Sequence, residues 1–139
     1  MNFYFEEIYK LALIAYENDD VPVGALIEFN GKIIARGFND RKLNNNIIGH
    51  AEINVIREAC KKLKQTRLDG CNLYVTLKPC KMCNEIIKEA KIDNVYYLLE
   101  PLKEKENRYK FPVKYNKNNT NLSIIYKKKL SEFFADKRK

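Results

Sequence analysis

A chain of 139 residues, 45% hydrophobic and 32% charged, is one globular domain's worth of sequence, with no apolar run near the roughly 18 residues that a membrane span requires. Four cysteines behind an opening stretch that carries Glu6 and Glu7, where a secretory signal would be basic, argue against a secreted disulfide scaffold and predict a cytoplasmic protein with free or metal-bound thiols. The net charge of +8 lies entirely in the tail: residues 1–102 hold 14 Lys and Arg against 14 Asp and Glu, whereas residues 103–139 hold 12 against 4, which predicts a basic segment that contacts a polyanion.

From residue 2 to about 18, Tyr4, Ile8, Leu11 and Ala15 recur at the helical period, flanked by Phe5 and Ala12, and predict an amphipathic helix that Asp19, Asp20 and Pro22 end. Residues 24–29 and 32–38 are apolar runs separated by Asn30-Gly31, the preferred pair for a two-residue type I′ hairpin turn. Residues 39–49 are polar and Asn-rich and read as a loop; a helix follows from His50 to about Lys64, with Glu52, Val55, Ile56, Ala59 and Leu63 on one face. Cys71, Leu73, Val75 and Leu77 alternate with polar or half-polar neighbours and predict a strand. Pro79 then sits where a first helical residue is preferred, opening a second helix that runs to about Lys91. Residues 94–99 read as a strand, 100–121 as a basic irregular stretch, 122–126 as a short strand, and 129 to the end as a helix. Helices alternating with strands after a hairpin predict an α/β sandwich around a partly parallel sheet.

The chemistry concentrates in two short stretches. His50, the only histidine, stands in His50-Ala51-Glu52, and Pro79-Cys80-Lys81-Met82-Cys83 supplies two thiols thirty residues later. Cys80 and Cys83, three apart at a helix start, can share one zinc ion, and His50 at the start of its own helix completes three ligands. Both helix starts also favour anionic thiolates. A structural zinc would need a fourth protein ligand. Cys60, ten residues along the helix from His50, lies about 15 Å away, and Cys71, at the far end of its strand from Cys80, lies roughly 25 Å away. Both read as buried small apolar residues. Three ligands leave a position for water, the mark of a catalytic zinc. Two thiolates offset the metal's charge, so a carboxylate that takes and returns the water proton becomes valuable, and Glu52 is placed for that role.

This H-x-E followed by P-C-x-x-C resembles the zinc deaminase signature. Asp20-Val21-Pro22-Val23-Gly24-Ala25, Asn39 eleven residues before His50, and Leu73-Tyr74-Val75-Thr76-Leu77 before Pro79 are similar to the bacterial tRNA adenosine deaminase family. So is Leu130-Ser131-Glu132-Phe133-Phe134 with its basic end at Lys137, Arg138 and Lys139. The resemblance implies a single deaminase domain over residues 1–139, with a basic C-terminal segment 103–139. It implies the three-layer α-β-α cytidine deaminase-like fold, a central five-stranded mixed sheet flanked by helices. His50, Cys80 and Cys83 become the ligands of one Zn2+ per subunit, Glu52 the proton shuttle, Asn39 a side chain that hydrogen-bonds a flipped base, and Val21 part of the base pocket. Phe133, Phe134, Lys137, Arg138 and Lys139 become RNA contacts. The implied reaction is hydrolytic deamination of adenosine to inosine at the wobble position of a tRNA, arginine tRNA foremost, by a homodimer that grips the anticodon arm and has no membrane association. A deaminase of a free nucleobase or nucleoside uses the same zinc chemistry and needs no basic tail; a zinc-stabilised RNA-binding module would not need Glu52. Three stretches depart from the family pattern. Lys78 stands where a glutamate usually precedes Pro-Cys, residues 100–108 replace a Gly/Ala-rich segment, and residues 44–49 are an unusual approach to His50.

Overall fold

The computed structural model describes residues 2–101, 114–118 and 120–137. The apolar stripe of the opening segment forms helix α1 (Asn2–Glu17), which buries Phe5, Ile8, Ala12 and Ala15. The chain reverses at Asp19, in the left-handed conformation with φ 63°, and enters strand β1 (Gly24–Phe29), joined by Asn30-Gly31 to β2 (Lys32–Phe38). Both turn residues have positive φ, 51° and 79°, as a type I′ turn requires. The hairpin carries one feature that alternation did not reveal: Ile27 pairs with Ala35 but Glu28 with Ile33, so Ile34 is the extra residue of a bulge.

Helix α2 (Ala51–Leu63), strand β3 (Cys71–Leu77), helix α3 (Lys81–Glu89) and strand β4 (Asn94–Leu99) follow in the expected order. Two helix starts differ from expectation. His50 and Cys80 are not in the first turn but are N-caps with extended backbone, and Pro79 precedes the cap instead of opening the helix. Their carbonyls already accept the first helical bonds, from Asn54 at 3.0 Å and Asn84 at 2.8 Å, which is what defines a cap residue.

The tail holds the larger correction. Residues 122–126, expected as a strand, are the opening turns of helix α4 (Asn121–Lys137), and the fifth strand is β5 (Lys114–Lys117), inside the stretch expected to be irregular. Ile124 and Ile125 supply the local strand preference, yet both face solvent. The buried positions are Ser123, Tyr126, Leu130 and Phe133, spaced at the helical period. The Ser123 amide donates to the Thr120 carbonyl at 3.0 Å and its hydroxyl to the Asn118 carbonyl at 2.7 Å, which closes the first turn. Residues 102–113, most of the segment that departs from the family pattern, lie outside the described residues.

The strands form one sheet in the order β2-β1-β3-β4-β5. β1 runs antiparallel to β2 and β3, whereas β3, β4 and β5 are parallel. Alternate side chains feed two cores. Ala25, Ile27, Leu73, Val75 and Val95 pack under Val55, Ala59 and Ile87 of α2 and α3, while Leu26, Tyr74 and Leu98 pack under Phe5, Ile8 and Tyr126 of α1 and α4. The expected three layers with a five-stranded mixed sheet are therefore present. α1 lies unusually close to β1: a Cβ at Gly24 would stand 2.6 Å from the Ala12 amide nitrogen and collide with the Ile8 carbonyl. Among the described residues no helix is long and apolar enough to cross a membrane. α3 begins just beyond the C-terminal end of β3, the end of a parallel sheet at which sites gather.

Candidate active site

The starts of α2 and α3 converge. The donor atoms of His50, Cys80 and Cys83 lie within 4.8 Å of one another, and Cys60 and Cys71 stand outside the group. The cap placement explains the thiol pair, because a side chain at the N-cap and one at the third helical position meet across the helix start, as in a capping box. The Cys83 sulfur lies 3.6 Å from His50 Nδ1. A tetrahedral ion about 2.3 Å from sulfur and about 2.0 Å from nitrogen sets such a pair about 3.5 Å apart. The residues thus fit a metal, and one nitrogen with two sulfurs is a set that favours zinc over oxygen-seeking cations. Cys83 is buried and Cys80 exposed at the rim. The Cys83 thiol, donating to Cys80, brings the Cys80 thiol down to about 5, helped by backbone amides of the helix start and by His50. Cys83 is shifted upward by its bond to Cys80 and by burial.

Glu52, in the first turn of α2, is only 4% exposed. Burial, seconded by the Cys80 charge, pushes its carboxyl up to about 7 despite opposing hydrogen bonds from its own backbone and Cys83. A carboxyl poised near neutrality beside three ligand donors suits a group that takes a proton and gives it back.

The start of α2 is completed from a distance. His50 makes no side-chain cap bond, and buried Asn39 supplies one, its Oδ1 accepting the Ala51 amide at 2.8 Å. Asn39 is thus held beside His50, with its Nδ2 left to serve something else. Val21 partly packs on the core that contains Ala51, and it lines a cleft of about 400 Å3 bounded also by Asp20, Arg41, Lys42, Asn46, Ile47 and Phe133. The metal group is not part of that lining. The structure therefore brings His50, Cys80, Cys83, Glu52 and Asn39 to one place and puts Val21 with Phe133 in the adjoining cleft. The two phenylalanines part company. Phe133 is buried against Tyr16, with ring centres 6.2 Å apart, whereas Phe134 is 38% exposed and meets Phe133 edge-on. The Lys137 side chain, Arg138 and Lys139 lie outside the described residues.

A family model of MafB19-like deaminases matches residues 2–138. The chain belongs to that family. It is 48% identical over 92 residues to the tRNA-specific adenosine deaminase of Agrobacterium fabrum (strain C58), a match covering 63% of this chain and only 60% of that relative's length. The tRNA-specific adenosine deaminase of Buchnera aphidicola subsp. Schizaphis graminum is 37% identical over 136 residues, 93% of this chain and 90% of its own. A solved structure from studies of A-to-I editing by tRNA:A34 deaminases superposes with a TM-score of 0.77 at 35% identity, over 84% of this chain and 98% of that one.

In this MafB19-like deaminase the structure adds residues that sequence reasoning missed. Buried Asp20 accepts the Val21 amide at 2.8 Å and the Lys42 amide at 3.0 Å, pinning the loop of residues 41–49 to the Val21 segment; its signal was its place at the head of the Val-Pro-Val-Gly stretch. Gly49 closes the same loop, since a Cβ there would stand 2.9 Å from the Arg41 amide nitrogen and collide with Asp40. Lys78, just past β3, meets groups brought by β4 and β5. Its ammonium lies 3.7 Å from Glu100 and about equally far from the Tyr97 and Tyr115 rings, 5.7 and 5.6 Å from their centres, a partnership that strand pairing alone creates.

Proposed function

We propose that the chain is a zinc-dependent hydrolytic deaminase that converts adenosine to inosine at the wobble position of a tRNA, arginine tRNA foremost. It would act as a cytoplasmic homodimer gripping the anticodon arm, with residues 1–139 forming one deaminase domain. The observation that carries the reading is the buried carboxyl of Glu52, which meets Cys83, within the same helix starts that gather the His50, Cys80 and Cys83 donors. Those three side chains would hold the metal, which when bound supplies a Lewis acid that makes water nucleophilic at neutral pH. Glu52 takes a proton from the attacking water and returns it to the departing amine, so that adenosine and water become inosine and ammonia. Asn39, its oxygen held by the Ala51 amide, presents Nδ2 to an acceptor on the base edge. Val21 forms one wall, and its displacement of water strengthens every polar contact within. Phe134 and the basic residues Lys137, Arg138 and Lys139 meet the RNA, the ring by stacking and the charges through phosphates.

The test is to incubate the zinc-loaded protein with an arginine tRNA transcript bearing a wobble adenosine, alongside cytosine, cytidine, guanine and free adenosine, and to follow ammonia and inosine. Inosine at the wobble position alone is the expected result. Ammonia only from a free base or nucleoside overturns the RNA substrate and keeps the hydrolytic chemistry.

A further inference from the structure

Helix α4 reaches the wall of the proposed base pocket through one hydroxyl. Tyr126 is fully buried, and its hydroxyl donates to the Pro22 carbonyl at 2.7 Å across 104 residues of sequence. Two residues on, the Gly24 amide donates to the Thr76 hydroxyl at 3.2 Å. Residues 22–24 are thereby tied by two side chains, one from β3 and one from α4.

The positions of these groups give the ties their consequence. Pro22 follows Val21, the proposed wall, and Thr76 stands four residues before the proposed ligand Cys80. A phenylalanine would fill the same core space, and a buried phenol usually finds a partner for its hydroxyl. Here that partner is the pocket loop.

We propose that Tyr126 is a positioning residue: through Pro22 its hydroxyl holds the Val21 wall at its distance from the metal group, and so links the docking of α4 to the shape of the base pocket. The inference rests on the reading that Val21 bounds the reacting base. Positional errors of about 1 Å suffice to lower turnover about 100-fold, so the loss of one tie is enough to matter.

The test uses the zinc-loaded full chain and Tyr126→Phe, with Thr76→Val as a second variant that removes the tie at Gly24. Amide hydrogen exchange at Val23 and Gly24 is expected to quicken at least tenfold in both, while Val55 in α2 and Leu73 in β3 keep their wild-type rates. Turnover of the wobble adenosine is expected to fall at least tenfold, with metal content unchanged and RNA affinity within twofold of wild type. Combining the two substitutions should deepen the loss, since each removes a separate tie to residues 22–24. Unchanged exchange at Val23 and Gly24 overturns the inference, as does a loosened loop with undiminished turnover. A fall in RNA affinity that accounts for the whole loss overturns it too, because α4 would then act only as a contact. A wild-type protein that edits no RNA overturns the substrate reading instead, and the exchange comparison then decides this one alone.

Discussion

Glu52 is almost wholly buried, and that burial pushes its carboxyl up to about 7. An ordinary first-turn glutamate faces water and stays ionised, stabilised by the helix dipole. Glu52→Gln preserves size and polarity and cannot take up a proton. The expected outcome is a full metal complement by elemental analysis and turnover lowered about 100- to 10,000-fold; near-normal inosine formation would remove Glu52 from the chemistry. Asn39 offers a sharper division of roles. Asn39→Asp retains an acceptor for the Ala51 amide, and its charge suits a helix start, so stability measured by denaturant should move by less than about 1 kcal/mol. Its Nδ2 donor is gone, so turnover should collapse nonetheless. Loss of stability without loss of turnover would make Asn39 a cap and nothing more. The convergence of His50, Cys80 and Cys83 was legible in the sequence because residue type and spacing point to one donor group. The Asn39 cap was not, since it depends on two segments twelve residues apart meeting around a loop.

Among the elements, the β1–β2 hairpin was read to the residue because its turn is decided by two adjacent residues that accept positive φ. α4 was misread over residues 122–126 because Ile124 and Ile125 prefer strands locally, while the register is set by Tyr126, Leu130 and Phe133 finding the core. The bulge at Ile34 and the cap status of His50 and Cys80 were hidden for the same reason, being consequences of which surfaces meet. Gly24 is the clearest case of an element's placement resting on one missing atom. Gly24→Ala inserts a methyl between the backbones of α1 and β1, so α1 must lift from the sheet. Overpacking of this kind costs about 1–3 kcal/mol, and the melting temperature should drop by several degrees. Because Gly24 also donates to Thr76, metal affinity should survive better than turnover. An unchanged melting temperature would mean that α1 shifts freely over β1.

For the whole molecule, the charge distribution sets neutrality against excess: residues 1–102 balance, and the surplus of eight positive charges sits in residues 103–139. Fold stability does not demand such a division, since the two cores are apolar and shared among all layers. Binding to a phosphate backbone does, and it leaves a thermodynamic trace in salt. Each phosphate neutralised on single-stranded RNA contributes about −0.7 to the slope of log affinity against log salt concentration. Replacing Lys137, Arg138 and Lys139 together by Gln should therefore flatten the slope by about 2 units if all three make contacts, weakening binding most at low salt. Turnover at saturating RNA should stay at the wild-type value, because phosphate contacts set affinity and register and do not touch the reacting base. A slope that does not change would assign the tail to solvent. A flattened slope with lowered saturated turnover would show that the charges also help seat the wobble base, and that the end of α4 and the metal group act as one surface.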